Sequence, residues 1–408
     1  MFCEKLVLIF FNHQYNLFME NVEDRPLRSL TTPSMDFLLL GGLSLIVWAV
    51  MTSMRLFQTE QEVQPQFFQM MMAFSWLSIA CNYPHFLISY RFGYGRGKGF
   101  IFKHWPSLVG VPIFFLVLYL VTFFFFHEQI YTSSFVAGLN SIFSAIGIGY
   151  KVGELPNLGI ELLGLAVRIM YLTTGWHYSK QAFGCIMVFS HYHNYPISKL
   201  QRLIWKISLF SVAIYNFFFV TNLAAEGNGA FSMFFNVPMS KIILPKFLEI
   251  WSLWAVIISG FMVVYFVLYK NFKLGKTPTS AILVPWIALH FWWVPLFGMM
   301  DFFYLAVPFF HGLQYLLFAY QLEAPEHSWE RIKKIKVMSM KILILFLVGY
   351  LSFEYVPQML DSWFSTDRRF QVMFFFVAIP VFINVHHFFI DSVVWRFNDE
   401  TIRKKLLD

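Results

Sequence analysis

SLVGVPIFFLVLYLVTFFFF, residues 107–126, contains no charged side chain. A helix rises about 1.5 Å per residue, so roughly 20 residues cross the ~30 Å hydrocarbon core of a bilayer, and lipid accepts only backbone whose polar groups bond one another. The stretch therefore reads as a transmembrane helix. Nine other segments have the same character, at about 35–53, 67–91, 158–190, 203–223, 247–269, 281–299, 303–321, 341–356 and 369–395. The expected fold class is all-α: a polytopic transmembrane helical bundle of about ten spans over residues 34–396.

Composition points the same way. Of 408 residues, 58% are hydrophobic and 13% are charged, against about 25% charged in soluble domains. Mean hydropathy is +0.59. Phenylalanine alone supplies 52 residues, which reads as rigid apolar surface for lipid. Cys3, Cys81 and Cys185 are too scattered for a disulfide framework or a paired-cysteine metal site.

Charge orients the chain. With a cytosolic amino terminus, one set of alternate loops carries nineteen lysines and arginines, from Arg91 to Lys405, and the other carries six, from Arg55 to Arg369. By the positive-inside rule both termini are then expected to be cytosolic. Residues 1–33 are expected to form a cytosolic or interfacial segment, with apolar Leu6–Phe11 lying on the membrane, and 397–408 a basic cytosolic tail. Residues 134–149, with Gly138, Asn140, Ser141, Ser144, Gly147 and Gly149, read as a re-entrant or surface hairpin, since an eleventh span would invert every later loop. No soluble domain is expected, so any chemistry belongs in or beside the membrane. No nucleic-acid partner is expected.

Eight of the twelve histidines, His85, His177, His191, His193, His290, His311, His386 and His387, lie in or at the ends of these segments, from mid-bilayer to the cytosolic side. An ionisable residue within the membrane is costly and marks function by default. Eight at similar depth suggest one polar site and eight candidate metal ligands. Asn82, His85 and Ser89 share a helix face; so do His177, Lys180, Gln181, Gly184 and His191, and so do Asn384, His387 and Asp391. Asp391 is placed to orient His387 through its second ring nitrogen, with Asn82 and Gln314 as further supporting groups. Arg168, Lys180 and Tyr315 are candidates for substrate contact or proton relay. His13, His104, His127 and His327 read as solvated loop residues.

Other signals are weaker. GYGRGKG at 93–99 and RIKKIK at 331–336 suit anionic lipid headgroups and topology better than a nucleotide, because no Rossmann or P-loop context surrounds them. No GxSxG elbow or nucleophilic triad is present.

Three motifs, YPHF at 83–86, WHYSKQ at 176–181 and NVHHFFIDSVVWR at 384–396, resemble an uncharacterised group of bacterial multi-pass membrane proteins. The resemblance implies a bacterial inner (cytoplasmic) membrane and no particular activity. In histidine count and depth the chain is also similar to membrane-bound di-iron desaturases and hydroxylases. Those enzymes cluster their ligands in HxxxH and HxxHH boxes, whereas here only His191/His193 and His386/His387 are close in sequence.

The function expected is an integral-membrane, histidine-ligated metalloenzyme, an oxygenase-, hydroxylase- or desaturase-like oxidoreductase acting on a lipid or isoprenoid from the bilayer. Its cofactor would be iron, as a di-iron or single centre, or another transition metal, because imidazole suits these ions; a haem would use only one or two of the histidines. An external electron donor is expected, since no flavin or nicotinamide fingerprint is present. Two alternatives dispense with the metal: a proton-coupled transporter using histidine as a relay, and a lipid-modifying transferase with one histidine as general base.

Overall fold

A computed structural model describes residues 27–126, 128, 129, 138, 141, 157–225, 233, 234, 237, 238, 244–297, 300–323, 328–364, 373–397 and 399–407. The expectations for residues 1–26, for His13, His127 and His327 and for all but two residues of 134–149 fall outside them.

The described chain is almost wholly helical. α1 (Pro33–Phe57), α2 (Glu60–Tyr94), α3 (Pro106–Phe124), α4 (Leu158–Tyr192), α5 (Lys199–Ala225), α6 (Lys246–Lys273), α7 (Ser280–Trp293) and α8 (Met300–Glu323) come first. α9 begins at Ser328 and passes through a π-helical turn, Leu351–Tyr355, to end at Phe364; α10 (Phe374–Val394) and α11 (Glu400–Leu406) follow. Among the described residues the only paired strands are two dipeptides, Met233–Phe234 and Val237–Pro238, in antiparallel register.

Each of the ten expected segments contains a helix among its described residues, and seven helices are long and apolar enough to cross a membrane: α1, α3, α4, α5, α6, the Ser339–Phe364 part of α9, and α10. α2, α7 and α8 are not among them, so the expected ten is not reached on this measure. Polar side chains such as Asn82 and His85 lower the hydropathy of α2, and α7 stops at Trp293 rather than near 299. Val294 adopts an extended conformation there, which a following proline favours.

Local chemistry fixes the ends. Thr32 caps α1 by accepting from the Met35 amide, and the Asp36 carboxylate gathers the amides of Leu30 and Thr31. Thr59 and Glu62 cap α2 reciprocally.

α4 occupies the middle of the bundle, touching α3, α5, α7 and α10, while α2 touches α8, α9 and α10. In its most apolar window 61% of α10 is buried but only 11% of α9, so α9 lies at the periphery. α3 is likewise peripheral and exposes Ile113, Phe114, Leu116, Val117 and Leu120. Apolar surface this continuous would be unfavourable in water and suits a lipid environment. The fold is consistent with a multi-pass membrane protein.

The carboxyl-terminal segment is not a loose tail. Ile402, Leu406 and Leu407 are buried, and the Tyr192 hydroxyl donates to the Leu406 carbonyl at 2.6 Å. Its apolar residues share one helical face, which burial rewards, while Lys404 and Lys405 stay exposed.

Candidate metal centre

Four of the eight candidate histidines meet. His85 of α2, His177 of α4, His311 of α8 and His387 of α10 are all buried, and one ring nitrogen of each lies within 4.8 Å of the others. Each comes from a different helix, so no sequence box unites them. Gly312 permits the approach of α8 to α2, since a Cβ there would stand 3.0 Å from the Cβ of Cys81.

Every ring has a defined seat. His85 stacks on Tyr315 with centroids 3.8 Å apart, and His311 stacks on Tyr178 at 3.8 Å. His177 stacks on Phe388 at 4.5 Å, and His387 packs on Phe86 at 4.3 Å. Such ring pairs contribute about 0.5–1.5 kcal/mol each beyond the area they bury. None of these aromatic partners except Tyr315 was singled out from sequence. The available signal is adjacency: Tyr178 follows His177, Phe86 follows His85 and Phe388 follows His387.

The nitrogens are arranged for ligation. His387 Nδ1 lies 3.0 Å from the Ile383 carbonyl, to which only a protonated Nδ1 can donate. In the neutral ring this leaves Nε2 as a lone pair, and Nε2 is buried without a hydrogen-bond partner. His177 Nε2 lies 3.1 Å from His311 Nε2. Two imidazoles bound to one tetrahedral ion at about 2.0–2.1 Å would hold their nitrogens roughly 3.3 Å apart.

Asp391 completes the group, but not as expected. Its Oδ2 lies 3.4 Å from His85 Nε2 and 3.8 Å from His177 Nε2, while the Ile383 carbonyl takes His387 Nδ1. The reason is direction: helical side chains lean toward the amino terminus, so His387 turns back onto Ile383 rather than forward to Asp391.

The other supporting candidates stand further off. Gln314 donates to the Leu40 carbonyl and accepts from Gln181, whose amide also donates to the His311 carbonyl at 3.1 Å; these bonds tie α1, α4 and α8 together. Asn82 donates to Ser78 at 2.9 Å. Tyr315 accepts a hydrogen bond from Ser89 at 2.9 Å, and Lys180 donates to the Ser392 carbonyl at 3.1 Å.

The remaining four histidines are elsewhere, so the eight do not form one site. His191 meets the Leu407 carbonyl at 3.1 Å, and His193 lies between Thr279 and the Arg28 carbonyl. His290 donates to the Trp286 carbonyl at 2.8 Å, and His386 lies 2.8 Å from the Tyr90 hydroxyl and 3.2 Å from that of Tyr94. Depth in the sequence reading was one coordinate of three; rotation about each helix axis and packing between helices supply the others. His104, read as solvated, is partly buried beside Phe100.

Two cavities flank the four histidines. One of about 260 Å³ is lined by residues preceding the histidines in chain order, including Ser75, Arg168, Thr174, Tyr304 and Pro380. The other, of about 100 Å³, is lined by residues following them, including Gln181, Lys180, Phe318 and Trp395, together with His177 and Asp391 themselves. Of the predicted face, His177, Lys180, Gln181 and Gly184 line the smaller cavity, and His191 does not. No protein-family model, no curated protein and no solved structure matches this chain, so the meaning of the site rests on its own geometry.

Proposed function

We propose that His85, His177, His311 and His387, supported by Asp391, hold one transition-metal ion, and that the protein is an integral-membrane metalloenzyme acting on a lipid-like substrate. The observation that carries this is the convergence of four buried imidazoles from four helices, with His387 Nε2 aimed into the group unpartnered. Neutral imidazoles with a nearby carboxylate suit iron, zinc or copper. The four grouped ligands favour a single ion over a di-iron pair.

An oxidoreductase is the favoured activity. In hydroxylation, for example, one oxygen atom of dioxygen enters a substrate C–H bond and the other leaves as water, consuming two electrons and two protons. A separate donor protein would supply the electrons, and Asp391 and Lys180 line a route for the protons from the smaller cavity. The ten-span topology with both termini cytosolic is part of this reading. Strict alternation makes even-numbered spans parallel, and α2, α4, α8 and α10 each enter the site from the larger cavity. The motif resemblance favours a bacterial cytoplasmic membrane.

A second reading draws on the two cavities. Chambers on both sides of four histidines could serve a proton-coupled transporter without any ion. Metal analysis by inductively coupled plasma mass spectrometry separates the readings. The proposal expects about one tightly held ion per chain, retained through purification in metal-replete medium. Protein that stays empty after anaerobic iron, zinc and copper loading would sink it in favour of the relay.

A further inference from the structure

We propose that the cavity of about 260 Å³ binds a single-chain anionic amphiphile, its carboxylate or phosphate head at Arg168 and its apolar chain running along α4 toward His177 and His311. The proposal rests on the metalloenzyme reading only for what happens at the far end of that chain; binding itself requires no ion.

The walls are mainly aromatic and aliphatic, with Tyr171, Phe217, Trp293 and Phe353 prominent. Apolar walls with a few placed polar groups are what a ligand pocket needs. The volume lies just below the roughly 300–1,000 Å³ usual for drug-sized ligands, which admits one chain and excludes a two-chain phospholipid.

Among the described residues Arg168 is the one basic residue of the lining, which also includes Glu354, bonded to the Tyr83 hydroxyl, and Asn82, Asn216 and Asn384. Arg168 is 4% exposed and lines the cavity. It precedes His177 by nine positions on one uninterrupted helix, a separation of about 13 Å. Arg168 is already engaged within the protein, but a guanidinium has five N–H donors and can take an anionic head as well.

The opposite end of the cavity is closed by residues that hold two of the histidines. Its lining includes Tyr178, which stacks on His311; Phe86, which packs on His387; and Ile383, whose carbonyl holds His387 Nδ1. A chain anchored at Arg168 therefore ends against Tyr178 and Phe86, the rings on which His311 and His387 pack. The spacing makes the enzyme a ruler, selecting a carbon at a set distance from the head.

The test is a titration of full-length protein in nanodiscs with the fluorescent carboxylate cis-parinaric acid, displaced by dodecanoate, dodecyl phosphate or dodecanol, with metal content measured on the same samples. The proposal expects saturable binding, displacement by both anions, and at least tenfold weaker displacement by the alcohol. Which anion displaces at lower concentration tells carboxylate from phosphate. Arg168→Gln should erase the preference for anions, whereas Arg168→Lys should keep most of it. Thr174→Trp, or Val220→Phe if the first variant melts early, should fill the chamber and abolish binding. Unchanged binding in a folded chamber-filling variant, or equal displacement by alcohol and anions, would overturn the proposal. Protein that holds metal but does not bind sinks the chamber alone. Protein that binds without metal keeps the chamber and sinks the metalloenzyme.

Discussion

His177 Nε2 and His311 Nε2 face each other at 3.1 Å across the boundary between α4 and α8. Both atoms can serve as acceptors, so either one ring donates its proton to the other or both lone pairs are given to a shared ion. The second arrangement also explains why His85 and His387 approach the same point.

If the ion is held there, His177→Ala and His311→Ala should each strip the purified protein of metal. Replacing a supporting partner alone typically costs 10–100-fold in affinity, so losing a ligand should cost more. His191→Ala and His290→Ala, whose rings bond the Leu407 and Trp286 carbonyls, should keep the wild-type content. Equal loss in all four variants, read by mass spectrometry, would mean that the four-histidine group is not the binding site.

Asp391→Asn tests the carboxylate. The amide keeps the shape but removes the charge facing His85 and His177. Metal affinity measured by competition with a chelator should fall about 10–100-fold while the thermal transition is retained. An unchanged affinity would reduce Asp391 to a packing residue.

Gly312 carries the close contact of α2 and α8. A larger side chain must push against Cys81 and Asn82, so Gly312→Leu should destabilise the protein by about 1–3 kcal/mol, the usual scale for overpacking. The accompanying separation of His85 from His311 should lower metal content. Gly260→Leu in α6 provides the control, because a Cβ there meets nothing within 4 Å.

His193 lies just beyond α4 and bonds both Thr279 and the Arg28 carbonyl, tying the segment before α1 to the start of α7. Burial lowers its pKa from the ordinary 6.5, with the Arg28 carbonyl and the Asp36 charge opposing. The unfolded or released state then binds more protons. The contribution of this tie is fully present above about pH 6.5 and declines as pH falls below that value. Hydrogen-exchange protection factors at residues 28–31, corrected for the intrinsic rate at each pH, should fall on acidification in wild type, and His193→Gln should remove that dependence.

Much of the fold is legible along one dimension. Residues 107–126 hold no charged side chain and 203–223 only Lys206, and both fall largely within helices long and apolar enough to span a bilayer. α2 and α8, which carry His85 and His311, fall below that measure, whereas α4 and α10, which carry His177 and His387, meet it, so hydropathy alone does not mark the site.

The sequence by itself determined that the chain is helical, that its surface is suited to lipid, and that eight histidines lie in or at the ends of apolar segments, since each property follows from residue type and spacing along the chain. Which histidines meet was decided only by tertiary structure. His386 and His387 are neighbours in the chain, yet about 100° of helical rotation per residue sends one to Tyr90 and the other to His85 and His177. His177 and His311 are 134 positions apart and become partners because their rings reach toward each other from α4 and α8 inside the bundle. Pairings of this kind are set by crossing angles, glycine contacts and stacked rings, which belong to pairs of helices rather than to any single stretch of sequence.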